Sequence, residues 1–437
     1  MAREIISVAV IGGGTMGTGI AGLCAQRGHK VLLLDVSVEA VGKAKDRIIN
    51  GRPPAVDELE KANNISFGTI DDDLAKIADC DWICEAVFED LETKRAIFER
   101  IEPLRREGSV ISTNTSGIPL RDITDGLPAS LRRDIAVTHF FNPVKIMRLM
   151  ELIPGKDTAP DVMESLAQFT GGVLGKGVVY AKDTVNFIGN RIGCYWMMSG
   201  LHHAGEALKS GLSMEEIDAL MSDPVGLPPT GLYGLIDLIG LDVMDLVGKN
   251  LAVNLPAGDM CANFVALPSN IHPMLERGQI GRKAGAGFYR MQKLDDGSRK
   301  TEIYDLIAGD WRDSEKFELD GAHSGLDVLF AEDAAGDFCW HIMGGTLSYA
   351  ADLVPEIADD VVNIDRAMKW GYAWGQGPFE MLDALGPQKV IDKLGASNLH
   401  VPKMLQVLAD AGAEGFYRND GAEYLGFDGN YHETPPE

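Results

Sequence analysis

The distribution of apolar residues changes from strand-like to helix-like along the chain. Residues 5–11 (IISVAVI) form a near-continuous apolar run, which is typical of a parallel strand buried on both faces. A glycine cluster follows, then a helical pattern over residues 15–27, and residues 30–34 (KVLLL) predict a second strand that ends in Asp35. A strand, a glycine turn, a helix and a second strand in this order predict a βαβ unit.

The same alternation continues through the first part of the chain. Further strands are predicted at residues 81–86, 109–113 and 135–139, and helices such as residues 91–104 lie between them. Strands that alternate with helices favour an α/β fold, so we expect a doubly wound parallel sheet over residues 1–183.

From residue 184 the pattern becomes mainly helical and contains an internal repeat. Residues 291–325 are polar and charged, which is typical of a connector, and helical patterning resumes at residue 326. We therefore expect two mainly α-helical domains related by duplication, at residues 184–290 and 326–437. The matching segments are IDALM ending at Met221 with IDRAM ending at Met368, GLIDLIG ending at Gly240 with FEMLDALG ending at Gly386, and GAGFYR ending at Arg290 with AEGFYR ending at Arg418.

Composition and charge argue against several classes of protein. The 437 residues are 45% hydrophobic, and the formal net charge of −25 predicts a surface that repels nucleic acid and anionic membranes. No apolar run approaches the length of a membrane span, and the first strand begins too early for a signal or transit peptide. We expect a cytoplasmic protein with no nucleic-acid partner and no membrane insertion. The six cysteines lack metal-ligand spacing, so we expect buried thiols and no metal site.

Residues 12–17 (GGGTMG) fit the pattern G-x-G-x-x-G between the first strand and the first helix. Glycines at these positions let the backbone approach a pyrophosphate at the positive end of the helix. Asp35 follows about 20 residues on, where its carboxylate can bond both ribose hydroxyls and would repel a 2′-phosphate. The pattern predicts a dinucleotide site that prefers NAD to NADP.

Four polar side chains are candidates for catalysis. Ser116, in NTSG, follows a predicted strand, at the edge where such sheets bind ligands. His139, in HFFNPV, ends the next strand, and histidine is the usual general base near neutral pH. Glu151, in MRLMEL, could orient an imidazole as the carboxylate of a catalytic triad does. Asn190, in KDTVNFIGNRIG, could bond a carbonyl oxygen. Taken singly, each residue also fits a turn, core, surface or capping role.

Together these motifs resemble the L-3-hydroxyacyl-CoA dehydrogenase family. The resemblance extends over residues 5–290, with EAVFEDLETK and GRKAGAGFYR as further matching segments in the family's order. It implies a Rossmann-like first domain and a helical second domain. It also implies NAD-dependent oxidation of an L-3-hydroxyacyl-CoA to the 3-oxoacyl-CoA in fatty acid β-oxidation.

The resemblance implies a role for each matching residue. His139 would be the catalytic base and Glu151 its partner, while Ser116 and Asn190 would hold the reacting oxygen. The partner would be an acyl-CoA substrate, and a homodimer or an association with β-oxidation enzymes stays open. The residues implied to contact NAD are Gly12, Gly14, Thr15, Met16, Gly17, Asp35, Glu89, Lys94, Asn142 and Lys283.

Two segments depart from the family's pattern. Simple members carry a long helical arm after the second strand, whereas here the segment before Asp81 is short and contains Pro53-Pro54. The family's CoA contacts therefore cannot be transferred. The second helical copy reads GDFCWHIM where the first reads VNFIGNRI, which puts His341 opposite Asn190. We expect this degenerate copy to provide packing or an interface.

One bacterial branch of the family has two helical domains followed by an enoyl-CoA hydratase domain. This chain stops near the point where that domain would begin, and residues 424–437 are polar and turn-rich like a linker. We expect the polypeptide to oxidise a 3-hydroxyacyl-CoA and not to hydrate an enoyl-CoA.

Two other functions also fit part of the sequence. Another hydroxyacid or sugar dehydrogenase with a Rossmann domain and a helical domain would usually rely on a catalytic lysine, whereas the candidate base here is His139. A family member that binds NAD without turnover is the second alternative. The complete set of Ser116, His139, Glu151 and Asn190 argues against it.

Overall fold

Contacts between residues divide the chain into two units in the computed structural model. The structure describes residues 2–294 and 296–437. The first unit runs to residue 188 and also contains residues 356–359 and 435–437, whereas the second contains residues 189–355 and 360–434. The α/β region and the helical region predicted from the sequence therefore fall into separate units.

An eight-stranded sheet forms the centre of the first unit. Its strands are β1 (Ser7–Ile11), β2 (Lys30–Asp35), β3 (Ile65–Thr69), β4 (Trp82–Glu85), β5 (Val110–Thr113), β6 (Ile135–Phe140), β7 (Leu149–Pro154) and β8 (Gly177–Tyr180). They follow the order β3-β2-β1-β4-β5-β6-β7-β8. Strands β1 to β6 are parallel, β7 is antiparallel to β6, and β8 is parallel to β7. The sheet order changes direction between β1 and β4, where folds of this class bind ligands outside the carboxyl ends of the strands.

Helices cover the sheet because its strands are apolar on both faces. Val8, Ala9, Val10 and Ile11 of β1 are completely buried, as a parallel strand between two helical layers requires. The helices of this unit are α1 (Thr15–Gln26), α2 (Val38–Asn50), α3 (Ile70–Asp73), α4 (Leu91–Ile101), α5 (Leu120–Thr124), α6 (Ala129–Asp134) and α7 (Pro160–Ala167).

The predicted Rossmann-like fold class is confirmed, but three strands were missed. β3 (ISFGT) contains a glycine and an exposed serine, and β8 has only four residues. β7 (LMELIP) carries a buried glutamate and ends in proline, two features that are more typical of a loop than of a strand. This missed strand is the one that carries Glu151.

The second unit is mainly helical, as predicted. A turn of π-helix at Trp340–Gly344 joins α13 to α14. The helices are α8 (Gly189–Lys209), α9 (Met214–Leu220), α10 (Gly231–Ile239), α11 (Leu241–Asn254), α12 (His272–Glu276), α13 (Ala334–Cys339), α14 (Gly345–Asp352), α15 (Val361–Gly371), α16 (Pro378–Leu385), α17 (Pro387–Ala396) and α18 (Lys403–Ala411).

The two halves of this unit repeat the same buried hydrogen bonds. Asp218 accepts one from the hydroxyl of Tyr289 at 2.8 Å, and Asp365 accepts one from the hydroxyl of Tyr417 at 2.8 Å. These residues occupy matching positions in the sequence repeat. The repeat therefore reflects shared three-dimensional structure and extends beyond similar helical patterning.

A second pair of aspartates fixes the segment after the helices in each half. Asp237 accepts hydrogen bonds from the backbone N–H groups of residues 288 and 289, both at 2.7 Å. Asp383 accepts them from residues 416 and 417 at 2.6 and 2.8 Å. Each carboxylate thus ties the end of one helix to the start of a following strand.

Each half also ends in a small antiparallel sheet. The strands are β9 (Tyr289–Lys293), β10 (Arg299–Asp305) and β11 (Asp310–Asp313) in the first half, and β12 (Tyr417–Arg418), β13 (Glu423–Leu425) and β14 (Tyr431–Glu433) in the second. Arg290 pairs with a glutamate of β10 at 2.6 Å and lies 4.1 Å from the ring centroid of Trp311. Arg418 pairs with a glutamate of β13 at 2.9 Å and lies 3.9 Å from the ring centroid of Tyr431.

These strands change the interpretation of two polar segments. The predicted connector contains β10 and β11, and the predicted linker contains β14 and part of β13. Ile303 and Leu425 are completely buried, so short strands with one polar face explain the composition. We propose that the first helical copy extends to Asp313.

Within the described residues, the six cysteines are free and buried. No helix there has the length and apolar character that crossing a membrane requires. No cluster of three or more His, Cys, Asp or Glu side chains in that part of the chain is arranged to hold a metal ion.

We predict that Asp383→Ala destabilises the helical unit, because it leaves two backbone N–H groups without an acceptor. The expected loss is about 1–3 kcal/mol of unfolding free energy, measured as a lower urea midpoint. Asp410→Ala, an exposed change on α18, is the matched control. Equal midpoints for the two variants would show that the Asp383 bonds do not support the repeat.

Candidate active site

The glycine motif forms one wall of a cavity of about 950 Å³ at the carboxyl ends of the strands. Gly12 has φ +106°, and a Cβ there would lie 2.5 Å from the carbonyl oxygen of Ala86. A Cβ on Gly17 would lie 1.9 Å from the carbonyl oxygen of Gly12, so only glycine lets α1 pack this closely. Gly14 also lines the cavity, and a Cβ added there would have no other atom within 4 Å, so it would project into open space.

Asp35 ends β2 and also lines this cavity. Its carboxylate accepts hydrogen bonds from the N–H of Gly13 at 2.8 Å and of Val36 at 2.7 Å. Arg47 donates to the carbonyl oxygen of Gly13 at 2.7 Å. These contacts fix the carboxylate beside the glycine loop, while each oxygen keeps a second lone pair for a ligand.

A dinucleotide suits this cavity. No side chain caps the N-terminus of α1, so its first N–H groups are available to a pyrophosphate. Asp35 offers acceptors to ribose hydroxyls. The predicted residues that line the cavity are Gly12, Gly14, Thr15, Met16, Asp35, Glu89 and Ser116.

A buried lysine organises the loop that follows β4. The Lys94 ammonium group lies 2.9 Å from Glu85 and 3.2 Å from Glu89, and both Lys94 and Glu85 are almost fully buried. Burial alone would lower the pKa of Lys94, but the two carboxylates raise it above its usual value. Lys94 is not among the residues that line the cavity, so its geometry favours support of Glu89.

Glu89 holds the loop that carries Ser116. Its carboxylate accepts hydrogen bonds from the hydroxyl of Thr115 at 2.6 Å and from the N–H groups of Ser116 at 2.8 Å and Gly117 at 3.1 Å. Burial opposes ionisation, yet the charge of Lys94 and these bonds lower the pKa of Glu89. The exposed hydroxyl of Ser116 makes no hydrogen bond to any described residue, so it is available to a ligand.

The sequence did not identify several residues of the cavity. Asn114 lines it and accepts a hydrogen bond from the N–H of Phe140 at 3.0 Å, which ties the end of β5 to the end of β6. The sequence could have indicated Asn114, because it lies in the same NTSG motif as Ser116. Asp71 and Arg100 form an ion pair at 2.9 Å and also line the cavity. They come from segments with no recognisable motif.

His139 and Glu151 face each other across β6 and β7. The antiparallel pairing puts these two residues directly opposite one another, and the His139 Nδ1 lies 2.6 Å from a Glu151 carboxylate oxygen. His139 is 3% exposed and Glu151 is completely buried. The second carboxylate oxygen accepts the N–H of Ile188 at 3.1 Å. An ionised carboxylate can only accept, so Nδ1 carries the proton and Nε2 has the free lone pair.

The loop before α8 adopts an unusual backbone to complete this pair. Asn186 has φ +60° and Phe187 has φ +51°, a left-handed conformation that side chains other than glycine rarely adopt. The ring centroid of His139 lies 5.6 Å from that of Phe187 and 4.6 Å from that of Phe141. The strained turn thus places an aromatic ring on His139 and the N–H of Ile188 on Glu151.

Besides Gly17, Lys94, His139 and Glu151, three further predicted residues lie outside the cavity lining. Asn142 is exposed on the loop after β6. Asn190 and Lys283 belong to the second unit, where Asn190 accepts a hydrogen bond from Tyr372 at 3.1 Å and Lys283 pairs with Asp242 at 2.7 Å. Their contacts with substrate or cofactor remain predictions.

Comparison with known proteins gives a consistent result. Residues 7–184 match the model of the 3-hydroxyacyl-CoA dehydrogenase NAD binding domain, and residues 187–291 match the C-terminal domain of the same family. A Bacillus subtilis protein named as a 3-hydroxyacyl-CoA dehydrogenase is 35% identical over 98% of this chain. A Rickettsia felis protein named as a fatty acid oxidation complex trifunctional enzyme is 35% identical over 93% of it.

Both of these relatives are longer proteins, and this chain spans 57% of the length of each. A solved structure of 3-hydroxybutyryl-CoA dehydrogenase from Escherichia coli K12 superposes with a TM-score of 0.72. It covers 94% of this chain and 100% of its own, at 24% identity. That similarity shows a shared fold across both units.

We predict that the protein binds NAD on the order of 100-fold more tightly than NADP, because Asp35 would repel a 2′-phosphate. Asp35→Asn removes the charge and should narrow this ratio in calorimetric titrations. Asp46→Asn, an exposed change on α2, should leave it unchanged. Equal affinity of the wild-type protein for the two cofactors would contradict the assignment of Asp35.

We also predict that Glu151→Gln reverses the tautomer of His139. The glutamine oxygen would accept the N–H of Ile188, so its NH₂ group would face Nδ1 and force the imidazole proton onto Nε2. Nitrogen-15 NMR of the neutral imidazole reports the tautomer directly. Glu164→Gln, an exposed change on α7, is the control. An unchanged Nδ1–H tautomer in Glu151→Gln would show that the carboxylate does not select it.

Proposed function

The chain belongs to the 3-hydroxyacyl-CoA dehydrogenase family, and on this premise we propose that it oxidises the 3-hydroxyl group of an L-3-hydroxyacyl-CoA with NAD. The observation that carries the proposal is the buried pair of His139 and Glu151. It gives the first unit a polarised imidazole at the edge of the sheet where the dinucleotide cavity opens. Neither an NAD-binding fold nor a structural role requires such a base.

The oxidation removes a proton and a hydride from the substrate. The Nε2 atom of His139 accepts the hydroxyl proton as the O–H bond breaks and the carbonyl forms. NAD, when bound, accepts the hydride that leaves carbon 3. Because Nδ1 is engaged by Glu151 at 2.6 Å, Nε2 is the ring nitrogen left to accept that proton.

Glu151 stabilises the imidazolium that results. The carboxylate is completely buried, so its attraction to the new positive charge is screened less than it would be in water. Its second oxygen is held by the N–H of Ile188, which stops the carboxylate from rotating away. This arrangement corresponds to the orienting and stabilising arm of a catalytic triad.

We propose that two further side chains hold the reacting oxygen. The hydroxyl of Ser116 lines the cavity, and Glu89 fixes the backbone on which it is carried. Asn190 begins the first helical copy and would donate from its amide. Gly12, Gly14, Gly17 and Asp35 would hold NAD at the glycine loop.

The metabolic role is proposed from the relatives. The Rickettsia felis relative is named for fatty acid oxidation, and we propose that this chain acts on acyl-CoA substrates in β-oxidation. A family member that binds NAD without turnover is the alternative. It would keep the cavity and the Asp35 contacts but would gain nothing from the His139–Glu151 pair.

The direct test is NADH formation from L-3-hydroxyacyl-CoAs of several chain lengths. We predict turnover in the wild-type protein and a loss of roughly 10²–10⁴-fold in kcat for His139→Gln. The affinity for NAD should stay nearly unchanged, since His139 does not line the dinucleotide cavity. His400→Gln, an exposed change in the helical unit, is the control. Absence of NADH with every substrate, despite NAD binding, would favour the non-catalytic alternative.

A further inference from the structure

The first turn of α8 is held by side chains from the second helical copy. The hydroxyl of Tyr372, at the end of α15, donates to the amide oxygen of Asn190 at 3.1 Å. A Cβ on Gly193 would lie only 2.1 Å from the Tyr372 ring. Glycine at position 193 therefore lets the tyrosine lie flat enough on α8 to reach Asn190, one turn away.

A second contact fixes the neighbouring residue. Arg191 is completely buried and donates to the hydroxyl of Tyr349, on α14, at 2.5 Å. Arg191 and Tyr349 both contact Asp259. The ring of Tyr349 also stacks on that of Tyr195 with centroids 4.4 Å apart. The start of α8 is thus anchored to the second copy through the hydroxyl of Tyr349, which bonds both members of the buried Arg191–Asp259 ion pair.

The Tyr372 contact decides which face of the Asn190 amide is free. An asparagine side chain has an acceptor oxygen and a donor NH₂ group. The amide oxygen accepts the hydrogen bond from the Tyr372 hydroxyl, so the NH₂ group lies on the other side of the amide and can donate to another group. A donor is the group needed beside an oxygen that gains negative charge when the hydroxyl loses its proton.

We propose that Tyr372 is a positioning residue for catalysis: it orients the amide of Asn190 so that its N–H donates to the reacting oxygen of the substrate. The inference rests on the proposed function, since it takes Asn190 as a substrate contact. It gives the degenerate copy a specific task beyond packing. The second copy has His341 at the position aligned with Asn190, yet it supplies Tyr372, the residue that orients the amide of Asn190 in the first copy.

The test is a double-mutant cycle on the full chain with an L-3-hydroxyacyl-CoA as substrate. Tyr372→Phe removes the hydroxyl alone and should lower kcat about three- to tenfold, the effect of losing one hydrogen bond. The KM for NAD should not change. In the Asn190→Ala background the same substitution should have no further effect, because the group it positions is absent.

Tyr304→Phe is the matched control. It also removes a tyrosine hydroxyl, which donates to the carbonyl oxygen of Gly309 in the small sheet, and it should leave kcat unchanged. Gly193→Ala is a second variant that should disturb the contact between Tyr372 and Asn190. It keeps the hydroxyl but displaces the ring of Tyr372, so it should lower kcat to a similar degree and remain usable if Tyr372→Phe does not fold.

The outcomes separate the inference from the proposed function. An inactive wild-type protein would overturn the proposed function. An active wild type with a strong Asn190→Ala defect and a full-rate Tyr372→Phe would overturn only the positioning role. Equal losses from Tyr372→Phe in the presence and absence of Asn190 would also overturn it, because a general structural effect adds independently.

Discussion

The hydrogen bond between His139 and Glu151 is the interaction on which the structure of the site depends. A fully buried carboxylate is costly unless its oxygens are paired. Here one oxygen receives the imidazole Nδ1–H and the other receives the N–H of Ile188. The antiparallel direction of β7 is what brings Glu151 opposite His139 in a sheet that is otherwise mostly parallel. The reversed direction of β7 and the left-handed turn at Asn186 and Phe187 both serve this carboxylate.

The dinucleotide cavity is built on a second buried charge system. Lys94 joins Glu85 and Glu89, and Glu89 in turn fixes the backbone around Ser116. The cofactor loop after β4 and the serine loop after β5 are therefore linked before any ligand binds. This link brings the predicted Ser116 hydroxyl to the same cavity as Asp35 and the glycine motif. Motifs that are separate in the sequence therefore line one cavity, and buried ion pairs and hydrogen bonds hold them in place.

The sequence predicted what depends on local pattern and missed what depends on distant pairing. Apolar runs with a glycine turn predicted β1, α1 and β2, and the residues of the glycine cavity followed from them. β7 was hidden because Glu151 interrupts its apolar pattern, although the resemblance to a family singled out the residue itself. Lys94 was expected at the cofactor, whereas its burial with Glu85 is a tertiary property. The contact of Tyr372 with Asn190 joins residues 182 positions apart and had no sequence signal.

In the proposed reaction, His139 receives the proton of the substrate hydroxyl through Nε2. A crystal structure of the protein with NAD and a 3-oxoacyl-CoA would test it most directly. In that complex we expect the 3-oxo oxygen to lie within hydrogen-bond reach of His139 Nε2, at roughly 2.6–3.2 Å, while Nδ1 remains hydrogen-bonded to Glu151. A productive complex in which that oxygen contacts another base, with His139 turned away or separated by protein atoms, would contradict it.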